Sequence, residues 1–187
     1  MPFYQDVNIE LDRLVNRRTL ILGEVNTGKT HYTEQILKAF VEAGFAHQTA
    51  VLDLAPRTVD RIGGKMESAV QPPVLYLTDA IVAPRLTAPT NRKAEALARK
   101  NAHLIEKLFD RFYTSGRPML FLNDATLYLQ AGSFQTLVQL LQTADTAIIN
   151  AYYGDTFAAS PLTRRERMAT ERLQVRCDNL IHLSKND

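Results

Sequence analysis

Two patterns of apolar residues alternate along the chain. Short, nearly continuous apolar runs are separated by longer stretches whose apolar positions recur every three or four residues. The runs TLILGE, TAVLDLAP, VLYLTD, PMLFLND, TAIINAYYG and DNLIHLS begin at Thr19, Thr49, Val74, Pro118, Thr146 and Asp178, and they predict six strands. Helical spacing predicts helices over Lys29–Ala43, Asn91–Tyr113, Phe134–Gln142 and Leu162–Gln174. The first presents Tyr32, Ile36, Leu37, Phe40 and Val41, with Gly44 placed to end it. The second presents Ala94, Leu97, Ala98, Ile105, Leu108 and Phe109 along one side. RTVDRIGGKMESAVQPP and AIVAPRLTAPTN, broken by glycine and proline, read as irregular loops. PMLFLND is apolar enough to be buried on both faces, as strands of parallel sheets are. Strand and helix in alternation predict an α/β fold, a three-layer sandwich around a mostly parallel sheet, as one domain over residues 1–187.

The junction between the first strand and the first helix carries the sharpest chemistry. Residues 23–30 read GEVNTGKT, which fits G-x-x-x-x-G-K-[ST] at every fixed position. Gly23 and Gly28 let the backbone turn so that the N–H groups of Glu24, Val25, Asn26, Thr27, Gly28 and Lys29 face one concavity. The helix beginning at Lys29 directs the positive end of its dipole to the same place. Lys29 adds a point charge suited to β- and γ-phosphates, and the Thr30 hydroxyl can ligate Mg²⁺. His31 follows directly and lies close to the same concavity.

On these residues, Thr19 to Phe40, the chain resembles the P-loop NTPase superfamily, and it is closest in pattern to the recombinase-like hydrolytic branch. The resemblance implies a bound nucleoside triphosphate, ATP or GTP, with Mg²⁺ at the carboxyl ends of the strands. The base-selecting N-K-x-D of many GTPases is missing around Asn150, which tilts the base toward adenine. PMLFLND looks like a Walker B strand and allows two assignments. Asp124 is the magnesium-shell acid, with Ala125 where hydrolytic relatives carry a glutamate; or Asn123 takes the first role and Asp124 the second. The first assignment is preferred on sequence. Asp53, late in TAVLDLAP, competes as a metal-site acid or acceptor-binding group. Asn150 ends the strand after Walker B and resembles a γ-phosphate sensor. In this branch a further strand is expected between the phosphate-loop and Walker B strands.

Positive charge that could serve phosphoryl transfer lies in SPLTRRERMATER, where Arg164 and Arg167 are the candidates to reach the nucleotide. Arg165, Glu166, Glu171 and Arg172 read as a solvated helix face. Basic loops at 57–65 and 85–93, with Arg57, Arg61, Lys65, Arg85 and Lys93, follow strand ends and suit a second anionic small molecule or a protein partner.

Composition changes this picture little. The 187 residues are 45% hydrophobic and 22% charged, with a net charge of +2, too small to point to nucleic acid. Cys177 is the only cysteine, so no internal disulfide forms, and the four histidines are too dispersed for a metal cluster. No apolar run approaches the ~20 residues of a membrane helix, and the N-terminal sequence lacks a secretory signal; a soluble, cytoplasmic protein is expected. Three functions fit: ATP hydrolysis, with partner stimulation; phosphoryl transfer to a small acceptor; or a nucleotide-dependent switch or assembly protein, which includes a homo-oligomer.

Overall fold

The apolar runs form a six-stranded, all-parallel sheet in the computed structural model, which describes residues 9–57 and 64–185. The strands are β1 (Arg18–Gly23), β2 (Thr49–Asp53), β3 (Leu75–Thr78), β4 (Met119–Asn123), β5 (Thr146–Tyr152) and β6 (Asn179–Leu183). Their spatial order is β3-β2-β4-β5-β1-β6. β5 therefore lies between β1 and β4. Every residue of β2, β4 and β5 is buried, which explains why these runs lack polar alternation.

The helices are α1 (Lys29–Glu42), α2 (Pro84–Thr87), α3 (Asn91–Ser115), α4 (Thr126–Leu129), α5 (Phe134–Thr143) and α6 (Pro161–Gln174). Local chemistry sets their ends. Thr90, Ser133 and Ser160 accept hydrogen bonds from the N–H groups of Lys93, Thr136 and Thr163, which caps α3, α5 and α6. Gly116 ends α3 with φ 63°, a left-handed conformation that glycine adopts without steric cost.

Side chains on alternate strand positions build two separate cores. On one face Ile21, Val51, Phe121 and Ile148 pack against Ile36, Leu37 and Phe40 of α1. Phe40 meets Phe121 edge to face, with ring centroids 5.3 Å apart. On the other face Leu20, Leu22, Leu52, Leu122 and Ile149 pack against α3, α4, α5 and α6. Helices thus cover both faces, giving three layers. Because α1 leaves β1 on one face and α6 follows β5 on the other, a crevice opens at the carboxyl ends of these two strands, the place where open α/β sheets bind ligands.

The differences from the sequence reading are local. Thr33 is buried on α1, whereas Val41 is 40% exposed. On α3 the buried stripe runs through Asn101 and Ala102, with Leu97 only half-buried. The loop read after β3 contains α2, and α4, which the sequence reading did not name, follows β4. Arg61 and Gly63 lie outside the described residues. Among the described residues no helix is long and apolar enough to cross a membrane.

Candidate functional site

The turn after β1 depends on its glycines for different reasons. At Gly23 a Cβ would collide with the Leu183 carbonyl of β6 and with Thr27 Oγ1, so only glycine allows the close passage. Gly28 precedes α1 with φ 84°, and Asn26 also has positive φ, at 59°. Between them the loop closes on itself. Thr27 Oγ1 donates to the Glu24 carbonyl at 2.9 Å, and Lys29 Nζ donates to the same oxygen. The Glu24 carboxylate accepts from Asp155 N–H and the Thr156 hydroxyl, at 3.1 and 2.8 Å, tying the loop to the β5–α6 connection. Burial works against the Glu24 charge, but hydrogen bonds led by Thr156 hold its carboxyl below the ordinary range. Burial lowers the Lys29 ammonium, opposed by the charges of Asp124 and Glu24.

Side chains at three strand ends meet beneath this loop. Asp53 and Asn123 stand opposite each other in the β2–β4 register. Asn123 Nδ2 donates to Asp53 Oδ1 at 2.8 Å, and Asn150 Nδ2 donates to Asn123 Oδ1 at 2.8 Å. Asn150 also donates to Thr33 of α1 at 2.9 Å and accepts from Asp124 N–H at 2.8 Å. Asp53 is fully buried, and its two oxygens accept from Asn123, Ala55 N–H, Met66 N–H and the Tyr76 hydroxyl. These four bonds occupy the lone-pair sites of a carboxylate. Asp53 therefore anchors the backbone after β2.

Asp124 follows the last residue of β4 with φ 58°, a left-handed conformation uncommon outside glycine. It lines a pocket of about 260 Å³ together with Lys29, Thr30, His31, Arg85 and Asn150. Burial pushes its carboxyl upward, while Thr126, Arg85 and Lys29 pull it down. The Thr30 hydroxyl faces Asn123 Oδ1 at 3.4 Å, so the side chain beside Thr30 is a neutral amide. His31 is 3.7 Å from Glu34, at the exposed rim. No group of three or more His, Cys, Asp or Glu suited to a metal occurs among the described residues.

The arginines are distributed differently from the sequence reading. Arg164 is exposed and lies off the pocket lining. Arg167 is also off the lining, paired with Asp155 at 3.0 Å and lying over the Tyr153 ring. The arginine within the pocket is Arg85, from the loop read as a separate basic site. Asn101 of α3 bonds Val82 through both N–H and carbonyl, which sets the start of α2. Arg85 stacks on Phe157 at 3.7 Å and bonds Glu166 at 2.6 Å. Glu166 is buried and also accepts from Gln130, so it is not part of a solvated face. Burial pushes its carboxyl up to about 7 despite the Arg85 charge. Leu162, Glu166, Thr170 and Leu173 form the buried stripe of α6, and that helical spacing was a signal for Glu166. Lys65 bonds Thr78 at 2.6 Å rather than reaching the pocket.

No protein-family model matches the chain, and no curated protein matches it in sequence.

Two outcomes follow for stability. Asp53→Ala leaves four buried or half-buried donors without their acceptor and should cost at least ~3 kcal/mol in urea unfolding; a loss below ~1 kcal/mol would contradict the anchoring role. Glu166 has a folded value, about 7, above its ordinary 4.5. Its contribution is therefore fully present below about pH 4.5 and is lost as pH rises through about 7. Over that interval wild type should lose on the order of 3 kcal/mol relative to Glu166→Gln. A difference that stays flat with pH would contradict the buried, raised carboxyl.

Proposed function

We propose that the protein binds a nucleoside triphosphate, ATP in the first instance, at the Gly23–Thr30 loop with Mg²⁺, and hydrolyses its terminal phosphoanhydride bond. The observation that carries this reading is the convergence of a glycine-turned strand-to-helix loop, Lys29 and Asp124 on one pocket. The position of β5 between β1 and β4 supports it further, because this is the strand spacing the hydrolytic branch leads one to expect.

Each residue then has a role. The amino end of α1 and Lys29 neutralise the β- and γ-phosphates. Bound Mg²⁺ would supply further charge neutralisation, held by Thr30 and, through its water shell, by Asn123. Asn123 lies beside Thr30, which favours the second of the two Walker B assignments: Asn123 in the strand-end position, Asp124 as the group next to the attacking water. Its raised carboxyl suits proton acceptance nearer neutrality. Asp124 takes a proton from water as the oxygen bonds to the terminal phosphorus and the bridging P–O bond breaks, leaving nucleoside diphosphate and phosphate. Asn150 positions Asp124 through its backbone N–H, and both of its own amide bonds go to Thr33 and Asn123. It therefore acts as a positioning residue in this scheme.

A second reading has one specific support. The pocket lining includes Leu127, Gln130 and Phe157 as well as Asp124, side chains that a small acceptor could contact in place of water. Asp124 would then deprotonate that acceptor in a phosphotransferase.

Melting with and without Mg-ATP tests the proposal. Ligand at ~100 times its Kd should stabilise wild type by ~2.7 kcal/mol. Lys29→Ala should lose this shift while staying folded, and Asp124→Asn should keep it while turning over ~100-fold more slowly. A shift that survives Lys29→Ala, or full turnover in Asp124→Asn, would contradict these assignments.

A further inference from the structure

We propose that Arg85 is the cation that meets the terminal phosphate, and that Glu166 holds it at the pocket wall until the phosphate arrives. The proposal rests on the triphosphate reading and goes beyond it by assigning the charge that Lys29 alone does not supply.

Arg85 lines the same pocket as Lys29 and Asp124, and its charge acts on Asp124. Its side chain is 13% exposed, so it is largely removed from water. The guanidinium lies 3.7 Å from the Phe157 ring centroid and 5.0 Å from that of Tyr152, two aromatic faces that hold its plane. One nitrogen, Nη1, bonds Glu166 Oε1. A guanidinium carries five N–H donors, so donors remain for a second anion. The segment that carries it is placed from behind by the paired bonds between Asn101 and Val82.

The partner is a weak holder of this cation. Glu166 is 2% exposed, and one oxygen also accepts from Gln130. Burial raises its carboxyl to about 7, so near neutrality it carries its full charge only part of the time. A phosphate arriving on the far side offers a more complete negative charge and a bidentate match to the guanidinium. The other candidate arginines are committed elsewhere or exposed: Arg165 bonds the Ala131 and Gly132 carbonyls, Arg172 lies over Phe134, and Arg167 is paired with Asp155.

The alternative role for Arg85 is purely structural, a buried pair joining α2 to α6. Such a pair would affect Mg-ADP and Mg-ATP binding alike, whereas a terminal-phosphate contact separates them. Affinities for both nucleotides and single-turnover phosphate release should be measured on wild type, Glu166→Gln, Arg85→Lys and the double variant Arg85→Met/Glu166→Gln. The double variant avoids stranding a buried carboxylate and so keeps the fold testable. It should bind Mg-ADP nearly as wild type does, lose preference for Mg-ATP and release phosphate at least ~100-fold more slowly. Arg85→Lys should fold and fall between the two, because it keeps the charge and loses the planar fork. Glu166→Gln should move the other way and tighten Mg-ATP relative to Mg-ADP, since it frees the cation. Equal changes for both nucleotides, or wild-type phosphate release in the double variant, would overturn the proposal. Wild type binding neither nucleotide would overturn the triphosphate reading itself, and the Arg85 role with it.

Discussion

The chain of amide and carboxylate bonds from Asp53 through Asn123 to Asn150 joins the ends of three strands inside the protein. These side chains lie 0–2% exposed, where an unmet polar group is costly. Each is satisfied by the next. The chain continues to Thr33, which itself donates to the Lys29 carbonyl at 2.8 Å. At the same end the Asn150 side-chain oxygen accepts from Asp124 N–H, and at the other end Asp53 accepts from Met66 N–H. One connected network therefore fixes the start of α1, the strained turn at Asp124 and the backbone entering Met66. Displacing any strand end by one residue would break bonds on both sides of it.

This constraint helps to give a glycine-rich turn a defined shape. The loop above is tied down where it leaves β1, by Glu24 to the β5–α6 connection and by Gly23 against β6. The positive φ at Asp124 is the local conformation that the network holds in place. Packing beneath is apolar and layered, with α1 on one face and α3, α4, α5 and α6 on the other, so both walls of the crevice rest on packed core.

Much of this was readable along the chain, because parallel strands buried on both faces write themselves as continuous apolar runs. The GEVNTGKT junction was equally readable, since its spacing reflects local backbone geometry. Strand order was not, because nothing in a fully buried run records which neighbour it pairs with. Arg85 was read as part of a separate basic loop, and the placement of its segment depends on bonds between Val82 and Asn101, which lie nineteen residues apart in sequence. Glu166 sat in a run of charges that hid its place on the buried stripe of α6. Asn123 and Asp124 are neighbours in sequence, yet one turns into the network and the other toward the pocket. Only the left-handed turn at Asp124 separates them.

The claim that the Gly23–Thr30 loop is a triphosphate site is tested most directly by following backbone amide resonances during titration with Mg-ATP. The account predicts saturable changes that are largest from Glu24 to Thr30, with Asp124 and Arg85 also moving and Mg-ADP reproducing the loop changes but not those at Arg85. Saturable changes confined to other surfaces, or none at all, would contradict it.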